Sequence, residues 1–414
     1  MVLYFKKENP FVEGVNINEI LTRVETPFYI YSQKKIIESY TKLKNKINAE
    51  IFYAVKANSN QAIISLLNSL GAGADVVSSG EIERAIQAGI SPKKIIFEGV
   101  GKSENDIKFA VQNNIKQINV ESLEECKIIN KIGESLNQKI RIGIRINPDV
   151  DAETLDKIST GRKTDKFGIS FDILSMICQE IKNSKFITLN GISCHIGSQI
   201  HNIDVFEKTF KKIKDAIEIL KNNHFHINSL DLGGGFGVTY NKEKELDLDK
   251  ISELINRIFG ENNFDISIEP GRFLIANSGI LITKILTSKK NGSVDFLITD
   301  AGMQTFIRPA MYNSIHSVVP LSQKKEKRKY TIAGPICESS DILVHNVELP
   351  EQIAGNYLAL CDVGAYGFVM ASNYNSKVLP TEILINDNKF AIIRKQENIT
   401  ELINKDIIPS WLKN

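Results

Sequence analysis

One pattern recurs along the first two thirds of this 414-residue chain: a short apolar run rich in β-branched residues, a polar or glycine-bearing turn, and a helical periodicity. The eight runs span residues 51–58, 73–79, 95–100, 117–122, 140–148, 189–197, 227–235 and 264–271. Helical patterns such as Gln61–Leu70, Gly80–Ala88 and Phe206–Lys221 lie between them. Eight such alternations are typical of a (β/α)₈ barrel, and we predict a TIM-like barrel over residues 31–275.

The rest of the chain predicts a second domain. After residue 275, apolar runs follow one another without intervening helices, and 381–395 reads as a hairpin. We therefore expect a mainly antiparallel β domain over 276–414, joined by the short segment 1–30, with a last helix over Ile399–Ile408. A doubly wound sheet is the alternative fold, but the first strand is followed by VKANSNQA rather than a G-x-G-x-x-G turn.

Composition excludes several classes of protein. The 51 basic and 49 acidic residues nearly cancel, which argues against a nucleic-acid partner. No apolar window is long enough to cross a membrane and the start lacks the order of a signal peptide, so we expect a cytoplasmic protein with no membrane partner. The five cysteines never form C-x-x-C, and no residue spacing predicts a metal site.

Polar residues cluster where the predicted strands end, which is where barrel enzymes place their chemistry. Lys56 in YAVKAN follows the first strand between apolar and small residues. Desolvation there favours the neutral amine that covalent imine formation requires, although an ordinary strand-end lysine could also extend to solvent. His195 in SCHIGSQ follows the sixth strand, where it is either a core histidine or a ring that covers a planar ligand.

The last two strand ends predict a phosphate site and a buried carboxylate. The glycine-rich turn GGGFG follows the seventh strand and EPGR follows the eighth, the two loops that commonly bind phosphate in barrels. Glu269 in EPGR needs a cationic partner if it is buried, either Arg272 or a protonated ring nitrogen. An imine-forming lysine, a phosphate loop and a carboxylate for a ring nitrogen together meet the requirements of pyridoxal 5'-phosphate.

Three segments of the predicted β domain carry further candidates. GPICESSD places Cys337, Glu338 and Asp341 after a strand and a glycine–proline turn. FIRPAMY and DVGAYGF combine polar groups with glycine or proline turns, as surface loops also do. The sequence alone leaves open whether these segments form a site.

Nine motifs in order, from YAVKAN and GADVVSSGE through KFG, CHIGSQ, LGGGFG, EPGR, RPAMY and GPICESSD to DVGAYG, identify a resemblance over essentially the whole chain. The chain resembles the diaminopimelate decarboxylase family, within the alanine-racemase-like (fold type III) pyridoxal-phosphate enzymes. The resemblance implies a homodimeric carboxy-lyase with shared active sites that converts meso-2,6-diaminopimelate to L-lysine and CO₂.

The resemblance also implies a role for each matching residue. Lys56, His195 and Cys337 are the expected catalytic residues, with Lys56 binding the cofactor covalently and Cys337, from the second subunit, as proton donor. The residues expected to bind the cofactor are Lys56, Asp75, His195, Ser198, Gly234, Gly235, Glu269, Gly271, Arg272 and Tyr366. Those expected to bind substrate are Arg272, Arg308, Tyr312, Glu338 and Tyr366.

Three alternatives remain at this stage. An ornithine or arginine decarboxylase has no distal substrate carboxylate to bind, and the segment after its cysteine usually begins with Asp, where this chain has Glu338. A racemase of the same fold usually places arginine beside the ring nitrogen, where Glu269 stands here. A non-catalytic cofactor carrier lacks the β domain, and a decayed homologue should have lost Lys56 or Cys337.

Overall fold

The computed structural model describes residues 2–158, 160–240, 243–322 and 327–412, which form two compact units. The barrel unit comprises Ile37–Thr239 and Glu243–Leu274, and the β unit comprises the remaining described residues. Within these ranges no helix is long and apolar enough to span a bilayer. The cytoplasmic location stays a prediction.

The strands and α-helices are numbered in chain order. The strands are β1 Leu3–Lys6, β2 Asn9–Val12, β3 Val15–Asn16, β4 Phe28–Ser32, β5 Glu50–Ala54, β6 Gly73–Val76, β7 Ile95–Phe97, β8 Gln117–Val120, β9 Ile140–Ile146, β10 Ile187–Cys194, β11 Ser229–Asp231, β12 Asp265–Ile268, β13 Gly279–Asn291, β14 Val294–Thr299, β15 Val318–Pro320, β16 Lys327–Ala333, β17 Ile342–Pro350, β18 Tyr357–Cys361, β19 Thr381–Asn386 and β20 Lys389–Arg394. The helices are α1 Ile17–Leu21, α2 Gln33–Lys46, α3 Gln61–Ser69, α4 Ser79–Gln87, α5 Glu104–Gln112, α6 Leu123–Leu136, α7 Phe171–Asn183, α8 Ile203–Asn222, α9 Leu248–Phe259, α10 Arg272–Ile275, α11 Arg308–Tyr312 and α12 Ile399–Ile403.

Strands β5 to β12 close into a parallel barrel in sequence order, which confirms the predicted barrel and all eight of its strands. Most of their residues are buried, as expected for strands covered on both faces. Helices α3 to α9 fill the connections, and the predicted helical stretches correspond to α3, α4 and α8. Side-chain caps start several of these helices, including a reciprocal capping box in which Ser103 and Asp106 bind each other's backbone amides at α5. The barrel thereby directs the carboxyl ends of eight strands to one rim.

The β unit contains a sheet in the order β17-β16-β14-β13-β4-β19-β20, with β18 paired to both β13 and β15. Most pairs are antiparallel, which confirms the predicted architecture, while β4–β19 and β14–β16 are parallel. β4, from the N-terminal segment, lies between β13 and β19. A separate meander, β1–β2–β3, packs its apolar side chains into the core of the unit.

The prediction for the last helix was wrong in length, since α12 ends at Ile403 rather than at Ile408. None of its residues is buried, and Ile407 is 89% exposed. A short helix with no fully buried residue lacks the packing that stabilises most helices in proteins, so the helical periodicity alone does not extend it.

Candidate active site

Lys56 lies in a short 3₁₀ turn, Val55–Ala57, directly after β5. Its Nζ is 2.7 Å from Oδ2 of Asp75 on the neighbouring strand β6. The Asp75 side chain is fully buried, whereas 33% of the Lys56 side chain is exposed. Burial raises the pKa of Asp75, and the adjacent lysine counteracts this rise. The pair thus holds an amine at the barrel rim that a small molecule can reach.

Glu269 is the first residue after β12 and is only 3% exposed. Within the described chain its Oε1 has no hydrogen-bond partner. Burial raises the pKa of Glu269 well above its usual value, and the nearby carboxyl groups of Asp231 and Asp75 add to the rise. A buried carboxylate without a partner is costly, so this position fits a ligand that brings a cationic group to Oε1.

The glycine turn after β11 brings main chain close to two neighbouring loops. A Cβ atom on Gly234 would lie 2.2 Å from the carbonyl oxygen of Glu269, and one on Gly235 would lie 2.6 Å from that of Gly197. Gly235 also has a φ of +86°, which favours glycine. Only glycine fits at positions 234 and 235, and we call this turn the cradle. Backbone amides in such turns are suited to bind a phosphate.

His195 is the first residue after β10 and is half-buried. Its Nδ1 accepts a hydrogen bond from the backbone N–H of Gly234 at 3.2 Å. Burial lowers the pKa of His195 well below its usual value, and the positive charges of Lys56 and Arg145 lower it further. The ring is therefore neutral near pH 7, with its proton on Nε2.

Arg272 and Ser198 connect the loops after β12 and β10. The Arg272 Nε donates a hydrogen bond to Ser198 Oγ at 3.0 Å, and Arg272 is only 6% exposed. The preceding residue, Gly271, packs closely, since a Cβ there would lie 3.0 Å from the Cβ of Ala57. The EPGR turn therefore lies against the segment that carries Lys56.

A buried polar network inside the barrel was not predicted. Arg145 on β9 places Nη1 3.0 Å from Oε1 of Glu121 and 3.4 Å from Oε2 of Glu98. Glu98 also accepts hydrogen bonds from Ser193 Oγ at 3.0 Å and from the Asn119 side-chain amide. The sequence signal for this network was an arginine within the apolar run of β9. Such a strand is buried on both faces, so its arginine needs buried acidic partners.

In the β unit, Arg308 begins α11 and is 7% exposed. Its guanidinium carbon lies 5.5 Å from the ring centre of Tyr312 and 6.0 Å from that of Tyr240. Two aromatic rings thus hold a buried cation that can form a bidentate pair with a carboxylate. Tyr366 lies in the turn after β18, is half-buried and has a φ of +54°.

Cys337 is exposed, whereas the other four cysteines are buried and all five are free thiols. The next residue, Glu338, accepts a hydrogen bond from Ser340 Oγ at 2.7 Å. Hydrogen bonds from Ser340 and Tyr374 lower the pKa of Glu338, so it is ionised near pH 7. The segment therefore presents a thiol and a carboxylate side by side.

Asp341 has a different position from these two residues. It is buried, and its carboxylate accepts hydrogen bonds from the backbone N–H groups of Met303 at 2.6 Å and Ile336 at 2.8 Å. Burial raises the pKa of Asp341 and these bonds oppose the rise. Asp341 therefore supports the turn that carries Cys337 and Glu338.

The barrel unit brings its predicted residues together at one rim. Direct contacts join Lys56 to Asp75, His195 to Gly234 and Ser198 to Arg272. Glu269 contributes the unpartnered oxygen, and the glycine turn contributes the cradle. A phosphate-bearing aldehyde with a basic ring nitrogen fits this donor set, because each of its groups meets a residue of suitable chemistry.

Comparisons with known proteins show which sequences this chain is similar to. Residues 33–276 match the family model described as the pyridoxal-binding domain of pyridoxal-dependent decarboxylases. Over 98% of this chain and 97% of the relative, the sequence is 39% identical to diaminopimelate decarboxylase of Aquifex aeolicus. It is 35% identical to diaminopimelate decarboxylase of Methanocaldococcus jannaschii, covering 97% of this chain and 96% of the relative.

Solved structures of diaminopimelate decarboxylases are also similar to this chain. The structure of diaminopimelate decarboxylase from Helicobacter pylori complexed with L-lysine superposes with a TM-score of 0.91 at 39% identity, covering 94% of this chain and 99% of that one. The M. jannaschii enzyme superposes with a TM-score of 0.93 at 34% identity, covering 99% of each chain.

Proposed function

The chain belongs to the diaminopimelate decarboxylases, and on that premise we propose how its own residues perform the reaction. The enzyme is a carboxy-lyase that uses pyridoxal phosphate to convert meso-2,6-diaminopimelate to L-lysine and CO₂. The structural observation that carries the proposal is the buried, unpartnered Oε1 of Glu269 on the same rim as the Lys56–Asp75 pair.

Pyridoxal phosphate, when bound, supplies an electron-withdrawing ring that accepts the electron pair left when the α-carboxylate departs. Lys56 holds the cofactor aldehyde, and Asp75 keeps the lysine amine in place. Glu269 keeps the ring nitrogen protonated, which preserves the positive charge on the ring. The neutral His195 covers the ring, and the cradle of Gly234 and Gly235 binds the phosphate.

The remaining residues proposed for the cofactor act through charge and close packing. Arg272 and Ser198, joined by a hydrogen bond, bring a cation and a hydroxyl to the phosphate end. Gly271 allows the EPGR turn to pack beside the lysine segment. Tyr366 is proposed to contribute its hydroxyl to phosphate and substrate.

Substrate choice depends on the second amino-acid centre of diaminopimelate. A distal carboxylate is bound best by a guanidinium, and a distal ammonium by a carboxylate. We propose that Arg308 and Arg272 bind carboxylate groups, that ionised Glu338 binds the distal ammonium, and that Tyr312 helps to orient the substrate. Ornithine and arginine lack the distal carboxylate, so they leave a guanidinium without its partner.

We further propose that two copies of the chain form a head-to-tail homodimer with shared active sites. In this arrangement Cys337 of one subunit returns a proton to the α-carbon of the substrate bound in the other. The exposed thiol of Cys337, beside ionised Glu338, supports this role, because a residue that acts in the other subunit must lie at the surface of its own chain.

The direct test of the reaction is to incubate the purified enzyme with pyridoxal phosphate and meso-diaminopimelate. We expect equal amounts of L-lysine and CO₂, and much slower release of CO₂ from ornithine or arginine. Polarimetry of a parallel incubation with a chiral amino acid separates decarboxylation from racemisation. Loss of optical activity in a chiral amino-acid substrate without CO₂ would establish a racemase and contradict the proposal.

Glu269→Gln is expected to lower kcat by about 10- to 100-fold, because the variant no longer holds a proton on the ring nitrogen. Stability of the cofactor-free protein gives a second readout. Folding raises the pKa of Glu269, so its contribution to stability is present at low pH and decreases as pH rises through that pKa. Glutamine does not titrate, so the variant lacks this pH-dependent contribution to stability. We therefore expect its urea midpoint to fall less than that of wild type as pH rises above about 4.5, the ordinary pKa of glutamate.

If the urea midpoints of the two cofactor-free proteins change equally with pH, the Glu269 carboxyl is not a buried titrating group. If Glu269→Gln keeps the kcat of wild type, Glu269 does not act on the ring nitrogen of the cofactor.

A further inference from the structure

Glu121 follows β8 and connects three segments of the barrel rim. Its buried carboxylate accepts hydrogen bonds from the backbone N–H of Gly99 at 3.1 Å, from Arg145 Nη1 at 3.0 Å and from the backbone N–H of Gly168 at 2.8 Å. These donors come from the loop after β7, from β9 and from the loop after β9. One side chain therefore links three consecutive βα units.

The chemistry of these contacts requires a carboxylate. Oε1 accepts from Gly99 and Arg145, and Oε2 accepts from Gly168, so all three partners are donors. A glutamine has one accepting oxygen and one donating NH₂ group. Glutamine at position 121 would therefore place N–H against N–H on one side, and a buried donor without an acceptor is destabilising.

The segment 160–170 lies between Glu121 and His195. At one end, Gly168 has a φ of +73°, and a Cβ there would lie 2.8 Å from the backbone nitrogen of Asn147. At the other end, Thr160 Oγ1 donates to the carbonyl oxygen of His195 at 2.8 Å, and its N–H donates to the Ile196 carbonyl at 3.1 Å. Thr160 thus binds the main chain of the residue proposed to cover the cofactor.

Glu121 is itself held by a second buried pair. Its backbone N–H donates to Oε2 of Glu125 at 2.6 Å, and Oε1 of Glu125 is 3.0 Å from Nζ of Lys102. Lys102 also donates to the carbonyl oxygen of Gly99. Both side chains of this pair are almost fully buried. This support fixes the Glu121 backbone, so its carboxylate is a rigid anchor rather than a mobile surface group.

We propose that Glu121 is a positioning residue that anchors segment 160–170 and, through Thr160, fixes the main chain of His195 at the active-site rim. The consequence for catalysis rests on the proposed function, in which His195 covers the cofactor ring. The anchoring itself is independent of that function and is measurable without any turnover.

Hydrogen exchange of the holoenzyme, followed by mass spectrometry, tests the anchor. In Glu121→Gln we expect amides of segment 160–170 to exchange about tenfold faster than in wild type. Glu98→Gln is the matched control, because it also replaces a buried carboxylate beside Arg145 but does not contact the segment. We expect exchange of 160–170 in this control to match wild type.

Wild-type exchange of the segment in Glu121→Gln would overturn the anchor, as would equal acceleration in both variants. If Glu121→Gln does not fold, Thr160→Val decides the proposal, since it removes only the hydroxyl bond to His195. Faster exchange around 195–196 in that variant supports the connection, and unchanged exchange contradicts it.

Kinetics separate positioning from a purely structural role. We expect Glu121→Gln and Thr160→Val each to lower kcat by about tenfold with little change in KM, because both misplace His195 without touching substrate. A faster-exchanging segment with wild-type kcat would overturn the positioning role. Absence of decarboxylation in the wild type itself would instead refute the proposed function while leaving the exchange result intact.

Discussion

Lys56→Ala is expected to abolish the absorbance band of lysine-bound pyridoxal phosphate and to lower kcat by about 10⁴-fold or more. In the proposed function this lysine holds the cofactor covalently and orients it, and orientation of reacting groups is among the largest contributions to catalysis. Absorbance spectra and steady-state kinetics of the purified variant measure both effects. Retention of the band would show that another amine binds the cofactor.

Two controls separate the covalent role of Lys56 from its charge. Lys56→Arg keeps a cation for the buried Asp75 but cannot form the covalent linkage, so it should fold like wild type and lack the absorbance band. Lys116→Ala removes another barrel lysine, which pairs with Glu50 at 2.7 Å far from the rim. We expect that variant to keep both the band and kcat.

Cys337→Ala is expected to lower kcat by about 10²- to 10³-fold while cofactor absorbance stays unchanged, because a general acid is lost and the cofactor site is intact. Cys337→Ser is the conservative variant, and its weaker acid should give an intermediate rate. Wild-type kcat in Cys337→Ala would contradict the role of proton donor.

Subunit mixing tests whether Cys337 acts across a dimer interface. We expect Lys56→Ala and Cys337→Ala homodimers each to have at most about 1% of wild-type activity. After random exchange, half of the dimers are mixed, and each mixed dimer has one site with both residues intact. We therefore expect recovery of about a quarter of wild-type activity. No recovery, with exchange verified by mass spectrometry, would show that lysine and thiol must belong to one chain.

The barrel was predictable because its signals are local and repeated. Each βα unit has an apolar run of strand length followed by a helical period, and eight copies in sequence leave few folds to consider. Strands β15 and β17 of the other unit were not predicted. β15 has only three residues, and the apolar run of β17 is interrupted by the exposed polar residues His345, Asn346 and Glu348, so neither gives a strong apolar pattern.

The positions of Lys56 and Glu269 directly after barrel strands were predictable, because an ionisable residue that follows an apolar run is unusual. The network of Glu98, Glu121 and Arg145 was harder to predict, because its members are far apart in sequence and meet only inside the closed barrel. Glu121 could be recognised as a strand-end carboxylate, but its three donors depend on the loops of neighbouring units. Register and loop conformation, which determine such contacts, are tertiary properties.

The placement of β4 between β13 and β19 affects how the protein folds while it is being synthesised. Synthesis proceeds from the N-terminus, so β4 emerges well before both neighbours that pair with it, whereas consecutive barrel strands pair with each other and only the closing pair β5–β12 is distant in sequence. The unpaired edges of β4 must therefore wait through translation of the whole barrel, and an early release of the chain leaves them open to aggregation.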